Sequence, residues 1–323
     1  MQLRNRLKFL AGIAFGLALS TLAAAQSYPT RTIRLIVPFP PGGAGDLVMR
    51  PLAQKLTESM GQPVVLENRP GADTIIGMDT IAKAAPDGYT IGLAINAGLT
   101  MNGALYSKLP YDPAKDFAPI TMLNTVPLVV VVGASAPVKS MAELAALIKA
   151  NPGKYNYGSG NTVSRLASER LSSMIGGKIV GVSYKGTAPT LTDLMRGDVL
   201  FSFEPVGAVL PLVTSGKLRA LGVAEPKRLA AVPEWPTIAE SGFPGFEMPV
   251  WYSILAPAGT PADIVSRLHN EIVKAMRQPD LTARLTTIGF EPILTGGDTV
   301  IARANAERAV WSKLIAEWNI KLD

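Results

Sequence analysis

Over residues 32–95, short apolar runs of strand length alternate with longer mixed stretches, and this rhythm sets the first expectation. TIRLIVP (32–38), PVVLEN (63–68) and YTIGLAI (89–95) read as strands. Helices are predicted between them, from about Asp46 to Met60 and then up to Ala85, with PDG (86–88) turning the chain into the third strand. A βαβαβ order predicts an open parallel sheet with helices on both faces. The rhythm resumes after the apolar stretch TVPLVVVVGA (125–134). SMAELAALIKAN reads as an amphipathic helix whose Ser140 and Glu143 have the spacing of a capping box. KYNYGSG (154–160), a helix over about 162–175, KIVGVSYKG (178–186), a helix near 188–195, VLFSFEP (199–205) and LRALGVA (218–224) follow. From TPADIVSRLHNEIVKAMRQ onward the chain reads as almost wholly helical. Two α/β units in one chain place a cleft between them, and ligands of such folds sit outside the carboxyl ends of the strands.

The N-terminus does not belong to that rhythm. MQLRNRLKF carries Arg4, Arg6 and Lys8, an apolar run LAGIAFGLALSTL follows, and Ala23-Ala24-Ala25 offers a small-residue cleavage site. That order predicts a secretory signal peptide cleaved after Ala25, the alternative being an uncleaved membrane anchor. No cysteine follows the run, which excludes a lipid anchor. The formal net charge of +6 owes much to this leader: without its three basic groups, 28 of the 31 Lys and Arg remain against 25 Asp and Glu. No block of Lys and Arg interleaved with aromatics points to nucleic acid, and none is expected as a partner. No later stretch approaches 18 apolar residues, so a soluble mature chain is expected. With no cysteine in 323 residues, disulfides, a thiolate nucleophile and thiolate metal sites are all excluded. Stability must come from the core, and export without cysteine suits a bacterial periplasm.

The catalytic inventory is thin. The single histidine, His269, lies among Ile264, Val265, Leu268 and Ile272 and reads as bordering the core rather than as a base. No G-x-S-x-G elbow exists, since GVSYK (181–185) fails at its last position. One histidine cannot build a zinc site, and no metal or cofactor is expected. GGKIV (176–180) is not a phosphate loop, and GSGNTV (158–163) lacks the third glycine of a dinucleotide fingerprint.

Loops suited to anions are more plentiful. PFPPGGAGD (38–46), YGSGNTVSR (157–165) and YKGTAPT (184–190) each run from a strand through small residues into a helix. Backbone N–H groups and the positive end of a helix dipole converge at such places, although tight turns use glycine for steric reasons as well. Asp46 would repel an anion at a helix start, which favours a role in capping or in bonding the loop N–H groups. Arg165 either contacts the ligand or pairs along its helix with Glu169. Glu204 either receives an amino or hydroxyl group of a ligand or faces water. Trp251 and Tyr252 fall where the chain recrosses between the units and read as packing residues.

Assembled, these stretches resemble the Bug family of periplasmic receptors of tripartite tricarboxylate transporters. The resemblance rests on VPFPPGGAGD…R (37–50), ENRPGA (67–72), APDGYT (85–90), LYSKLPYDPAKDFAPI (105–120), YKGTAPTLTDLMRGDV (184–199), PTIAESGFPGFE (236–247) and APAGTP (256–261), and it covers essentially the whole chain. It implies a non-enzymatic protein with an α/β, two-lobed type II periplasmic-binding-protein fold, two doubly wound sheets with a ligand cleft between them. By similarity, 26–126 plus 250–323 form lobe one and 127–249 form lobe two. The implied ligand is a small carboxylate (a dicarboxylate, tricarboxylate, aromatic acid or acidic amino acid), captured by cleft closure and delivered to membrane permease subunits by a monomer. The implied ligand-binding residues in lobe one are Phe39, Pro40, Gly42, Gly43, Asp46, Asn96, Ala97 and Gly98. In lobe two they are Asn161, Thr162, Ser164, Arg165, Lys185, Gly186, Thr187 and Glu204. Departures from the family pattern bear on the ligand rather than the fold. Arg165 of GNTVSRLA (160–167) stands where the family has a histidine, Leu200 replaces an acid, and ENRPGADTIIG replaces a more glycine-rich form. A sensor subunit of a signalling partner and a secreted carboxylate-pair hydrolase are the alternatives.

Overall fold

Residues 28–287, 289–318 and 320–322 are described by the computed structural model. The expected leader and its cleavage point after Ala25 lie outside the described residues. The first predicted rhythm forms as expected: β1 (Ile33–Val37), α1 (Ala44–Met60), β2 (Val64–Asn68), α2 (Ile75–Ala82) and β3 (Thr90–Ile95). β1 pairs in parallel with β2 on one side and β3 on the other, with Leu35 opposite Leu66 and Ile91. β1 and β3 are apolar nearly throughout because helices cover both faces, whereas β2, at the sheet edge, is only partly buried. Leu35 and Val37 point into a cluster with Val48 and Leu52 of α1, whereas Ile36 joins Ile75, Met78 and Ile81 of α2 on the opposite face.

Short helices α3 (Asn96–Thr100) and α4 (Asn102–Leu105) lead to β4 (Phe117–Thr125). The chain then crosses into a second sheet through β5 (Leu128–Gly133), α5 (Met141–Ala150), β6 (Asn156–Ser159), α6 (Thr162–Ile175), β7 (Val180–Ser183), α7 (Thr187–Arg196), β8 (Phe201–Pro205), α8 (Val206–Thr214) and β9 (Leu218–Val223). It returns by β10 (Trp251–Pro257) and closes with α9 (Ala262–Met276), α10 (Pro279–Thr287), β11 (Pro292–Gly296) and α11 (Gly297–Glu317). The first sheet has the order β11-β4-β10-β3-β1-β2 and the second β7-β6-β8-β5-β9. In the second sheet Val130 and Val132 face α5 and α6, while Val129 and Val131 face α7 and α8. This is the two-lobed, doubly wound architecture that the resemblance implied.

Three expectations need correction. The sheets are mixed rather than purely parallel, because β10 runs antiparallel to both β3 and β4, and β5 runs antiparallel to both β8 and β9. Strands that recross between lobes arrive from the opposite direction. The C-terminal region is not wholly helical, since β11 pairs with the edge of β4 with a register shift between Pro292 and Thr295. Five residues bounded by Pro292 and Gly297 carry too short a pattern to announce an edge strand. The capping box is displaced: Ser140 Oγ accepts from Glu143 N–H at 3.2 Å, but the Glu143 carboxylate accepts from Lys139 N–H, at 2.7 Å, rather than from Ser140.

Candidate functional site

The strand ends of the two sheets meet around a cavity of ≈ 40 Å³. Lobe one contributes Phe39, Pro40, Gly43, Ala44 and Ile95, and lobe two contributes Gly160, Asn161, Val163, Gly186, Thr187 and Pro205. The crossing segments supply Val126, Leu128, Val250 and Tyr252. Four helices of two turns or more begin at this cavity: Gly43 precedes α1, Asn161 precedes α6, Gly186 precedes α7 and Pro205 precedes α8. Gly43, Gly186 and Pro205 offer no side-chain cap, and only Asn161 caps its own helix, accepting from Ser164 N–H at 3.0 Å. Helix starts present free N–H groups and a positive dipole end, although the first N–H of α8 already donates to the Pro127 carbonyl at 3.0 Å, and their convergence suits a negatively charged group.

Each lobe shapes its loop differently. In lobe one, Asn68 Nδ2 donates to the Phe39 carbonyl at 2.9 Å and Gly42 N–H donates to Asp46 Oδ2 at 3.1 Å. Arg50, one helical turn on, pairs with Asp46 at 2.8 Å. Burial pushes the Asp46 carboxyl up, but Arg50, the Gly42 N–H and Asn68 outweigh it and hold the group below the ordinary carboxylate range. In lobe two, the loops after β6 and β7 lie against each other. A Cβ at Gly160 would sit 2.6 Å from the Gly186 carbonyl carbon, so no larger residue fits there unless the loops separate. Gly186 itself has φ of 110°, a region that side chains rarely adopt, and a Cβ there would lie 3.4 Å from the Pro40 ring across the cleft.

Of the sequence-predicted residues, the structure therefore brings Phe39, Pro40, Gly43, Asn161, Gly186 and Thr187 together at the cavity. Gly42 and Asp46 shape the loop behind it. Ser164 donates its hydroxyl to the Phe203 carbonyl and anchors α6 to β8. Thr162 is buried with its hydroxyl unpartnered at the start of α6. Asn96 is buried outside the cavity lining, its Nδ2 donating to the Pro249 carbonyl at 3.0 Å and lying 3.4 Å from Glu307 while its Oδ1 is unpartnered, and the Gly98 carbonyl accepts from the Tyr111 hydroxyl. Ala97 is packed in the core. Lys185 is exposed. Arg165 does not line the cavity; its guanidinium lies beside the Tyr157 hydroxyl, which donates to Glu169. Periodicity explains this: on α6, Val163 takes the cavity-facing position, and Arg165, two residues on, falls on another face.

Glu204 is fully buried at the end of β8, its Oε1 accepting from Ser202 Oγ at 2.8 Å and its Oε2 unpartnered. Burial pushes its carboxyl up to about 7, against the opposing pull of the Ser202 and Thr187 side chains. Because Thr187 lines the cavity, Glu204 stands directly behind the wall. Among residues that sequence reasoning missed, Ile95, Val126, Leu128 and Val250 are ordinary apolar positions whose signal is only their place at strand ends and crossings. Tyr252 combines both readings: it packs against Phe39 and Phe290, at 6.1 and 6.4 Å between ring centroids, and also lines the cavity. Trp251 packs in the core as expected, donating to Glu307 at 2.8 Å. His269, half-buried, bonds Thr121 at 2.9 Å in lobe one.

Among the described residues no group of three or more His, Asp or Glu side chains could hold a metal ion, and no helix is long and apolar enough to cross a membrane. Comparison with known proteins agrees with the geometry. The tripartite tricarboxylate transporter family receptor profile matches residues 48–320. Protein BugT of Bordetella pertussis is 35% identical over 324 residues, spanning 98% of this chain and 99% of that protein. The solved periplasmic binding protein BugD superposes with a TM-score of 0.86 at 31% identity, covering 91% of this chain and 99% of BugD. The R. palustris protein Rpa4515, solved with adipate, superposes with a TM-score of 0.88 at 35% identity, covering 91% of this chain and 99% of its own. Two lobes, helix starts gathered at one cleft, and similarity along nearly the full length lead to one assignment: the chain belongs to the tripartite tricarboxylate transporter receptor family, periplasmic solute-binding proteins that are transport components rather than enzymes.

Proposed function

We propose that this chain, exported and trimmed after Ala25, acts as a monomer that captures a small carboxylate in its cleft and hands it to membrane permease subunits. The observation that carries this reading is the meeting of four helix starts at a cavity with no charged side chain in its lining among the described residues. Backbone N–H groups then do the anion binding, directly or through ordered water. The adipate in the R. palustris relative supports the ligand class. Lobe boundaries of 26–126 plus 250–323 and 127–249 are supported by strand membership, because the first sheet draws on strands from 33–125 and 251–296 and the second on strands from 128–223. Ligand binding closes the lobes at the Pro40–Gly186 approach.

Thermal unfolding with paired probes tests the reading. A carboxylate at about a hundred times its dissociation constant stabilises the folded state by roughly 2.7 kcal/mol, because it binds only that state. The uncharged amide of the same acid leaves the transition unmoved. Equal stabilisation by acid and amide would reduce the glycine loops to plain turns.

A further inference from the structure

Glu204 lies at the end of β8, next to the cavity-lining Pro205, and its carboxyl is wholly buried. Oε1 accepts from Ser202 Oγ at 2.8 Å, whereas Oε2 has no hydrogen-bond partner. The other side chain that pulls on this carboxyl is Thr187, the first residue of α7, which itself lines the cavity. Thr187 therefore stands between the buried acid and the ligand space.

A threonine hydroxyl has a single proton to donate. With Oε1 committed to Ser202, protonated Glu204 carries its own O–H on Oε2 and donates it to Thr187 Oγ1. The threonine proton is then free for a carboxylate in the cavity. Ionised Glu204 accepts the Thr187 proton instead, and a ligand meets oxygen lone pairs with a negative charge behind them. Both changes oppose an anion, and more strongly where water is excluded.

Charged groups on the neighbouring elements are turned to other partners or to solvent. β5 and α8, which pack on β8, carry no titratable residue. On β6 and α6, Tyr157 donates to Glu169 beside Arg165, and Arg170 donates to the Gly245 and Glu247 carbonyls. On α7, Asp193 accepts from Tyr184 and pairs with Arg196. Lys185 is exposed on the turn before α7, and burial keeps the Tyr252 phenol at the cavity protonated. Burial is thus what pushes Glu204 up to about 7, and its proton exchanges near neutral pH.

From this we infer that Glu204 is a positioning residue that couples ligand capture to a proton. The carboxylate binds when protonated Glu204 turns the Thr187 hydroxyl into the cleft, and capture above neutral pH draws a proton from solvent onto Glu204. The inference rests on the reading of the cleft as a carboxylate site and adds a regulation to it.

Titration calorimetry of the mature protein at pH 6.5 and 8.5 with adipate, malate and benzoate, and with benzamide as the uncharged probe, tests it. The acid that binds loses affinity roughly tenfold or more between the two pH values. At pH 8.5 its binding heat differs between buffers of unlike ionisation enthalpy by the uptake of about one proton. Glu204→Gln, whose amide donates to Thr187 at every pH, binds as wild type does at pH 6.5, keeps that affinity at pH 8.5 and takes up no proton. Thr187→Val keeps the side-chain shape without the hydroxyl, binds more weakly at pH 6.5 and loses most of the pH dependence. A wild-type affinity that ignores pH overturns the inference and leaves the carboxylate reading intact, as does a Glu204→Gln protein with the wild-type slope. The wild-type slope in Thr187→Val overturns the coupling through the threonine. Failure of all three acids to bind, or benzamide binding as well as benzoate, overturns both the inference and the reading beneath it.

Discussion

The loop of lobe one and the paired loops of lobe two face each other across the cleft and reach the same end by opposite means. Phe39–Asp46 keeps its shape through a closed electrostatic set, in which Asp46 takes the Gly42 N–H and the Arg50 guanidinium, and Asn68 ties down the Phe39 carbonyl. The lobe-two loops keep theirs by steric fit, with Gly160 against the Gly186 backbone and no charge engaged between them. In lobe one the charged side chains nearest the cleft, Asp46 and Arg50, are engaged with the loop itself, whereas Lys185 of lobe two is exposed on its turn. On the proposed reading, recognition falls largely to backbone N–H groups, which carry no sequence signature of their own. A single substitution should consequently act through loop shape more strongly than through removal of any one charge.

The largest effect expected from that comparison is at Gly160. Gly160→Val forces the Gly186 backbone away, destabilises the protein by roughly 1–3 kcal/mol and abolishes carboxylate binding. Calorimetry and thermal unfolding together check this, and binding within a few fold of wild type would mean that the lobe-two loops do not depend on their close approach.

Next comes Glu204, the buried acid behind the same loops. Its folded-state pKa, near 7, lies above the unfolded value near 4.3, so the folded state holds an extra proton between those values. Stability from this source falls as pH rises through that window and stays low above it. Glu204→Gln carries no such cost, so its unfolding temperature relative to wild type should rise from pH 5 to pH 8. A constant difference across that range would place Glu204 in contact with water.

Asp46→Ala tests the electrostatic half of the comparison and should cost about 1 kcal/mol near neutral pH through the lost loop and helix-start bonds. Because the Asp46 carboxyl is held below its ordinary range, its contribution is present above the unfolded pKa near 3.9 and is lost as pH falls through the lower folded value. Wild type and variant should thus converge in stability in strong acid, as denaturant titrations at stepped pH would record. Divergence there would assign the lost stability to packing.

The smallest effect belongs to Arg165. With its guanidinium beside Tyr157 and outside the cavity lining, Arg165→Ala should bind the ligand within about twofold of wild type. A tenfold loss would mean that the side chain swings into the cleft on closure, and the contrast between the lobes would have to be redrawn.

Much of this molecule is written locally. β1, β3 and β5 announce themselves as apolar runs because both of their faces are covered, and α6 begins at Thr162 and ends at Ile175 as its Asn161 cap and Gly176 stop dictate. The strand–glycine–helix pattern likewise marked Gly43, Asn161 and Gly186, since a helix start and its loop are set by neighbours in the chain. Arg165 stands out in the sequence as a cation beside an anion loop, but which face of α6 meets the cleft is fixed by packing on β8, where Ser164 donates to the Phe203 carbonyl. Tertiary structure alone decided that β11 completes the edge of the first sheet, that β10 enters antiparallel between β3 and β4, and that Val126, Leu128, Val250 and Tyr252 meet Phe39. Those residues lie far apart in sequence and look like any core position. Only the recrossing of the chain between the lobes brings that part of the core to the cavity.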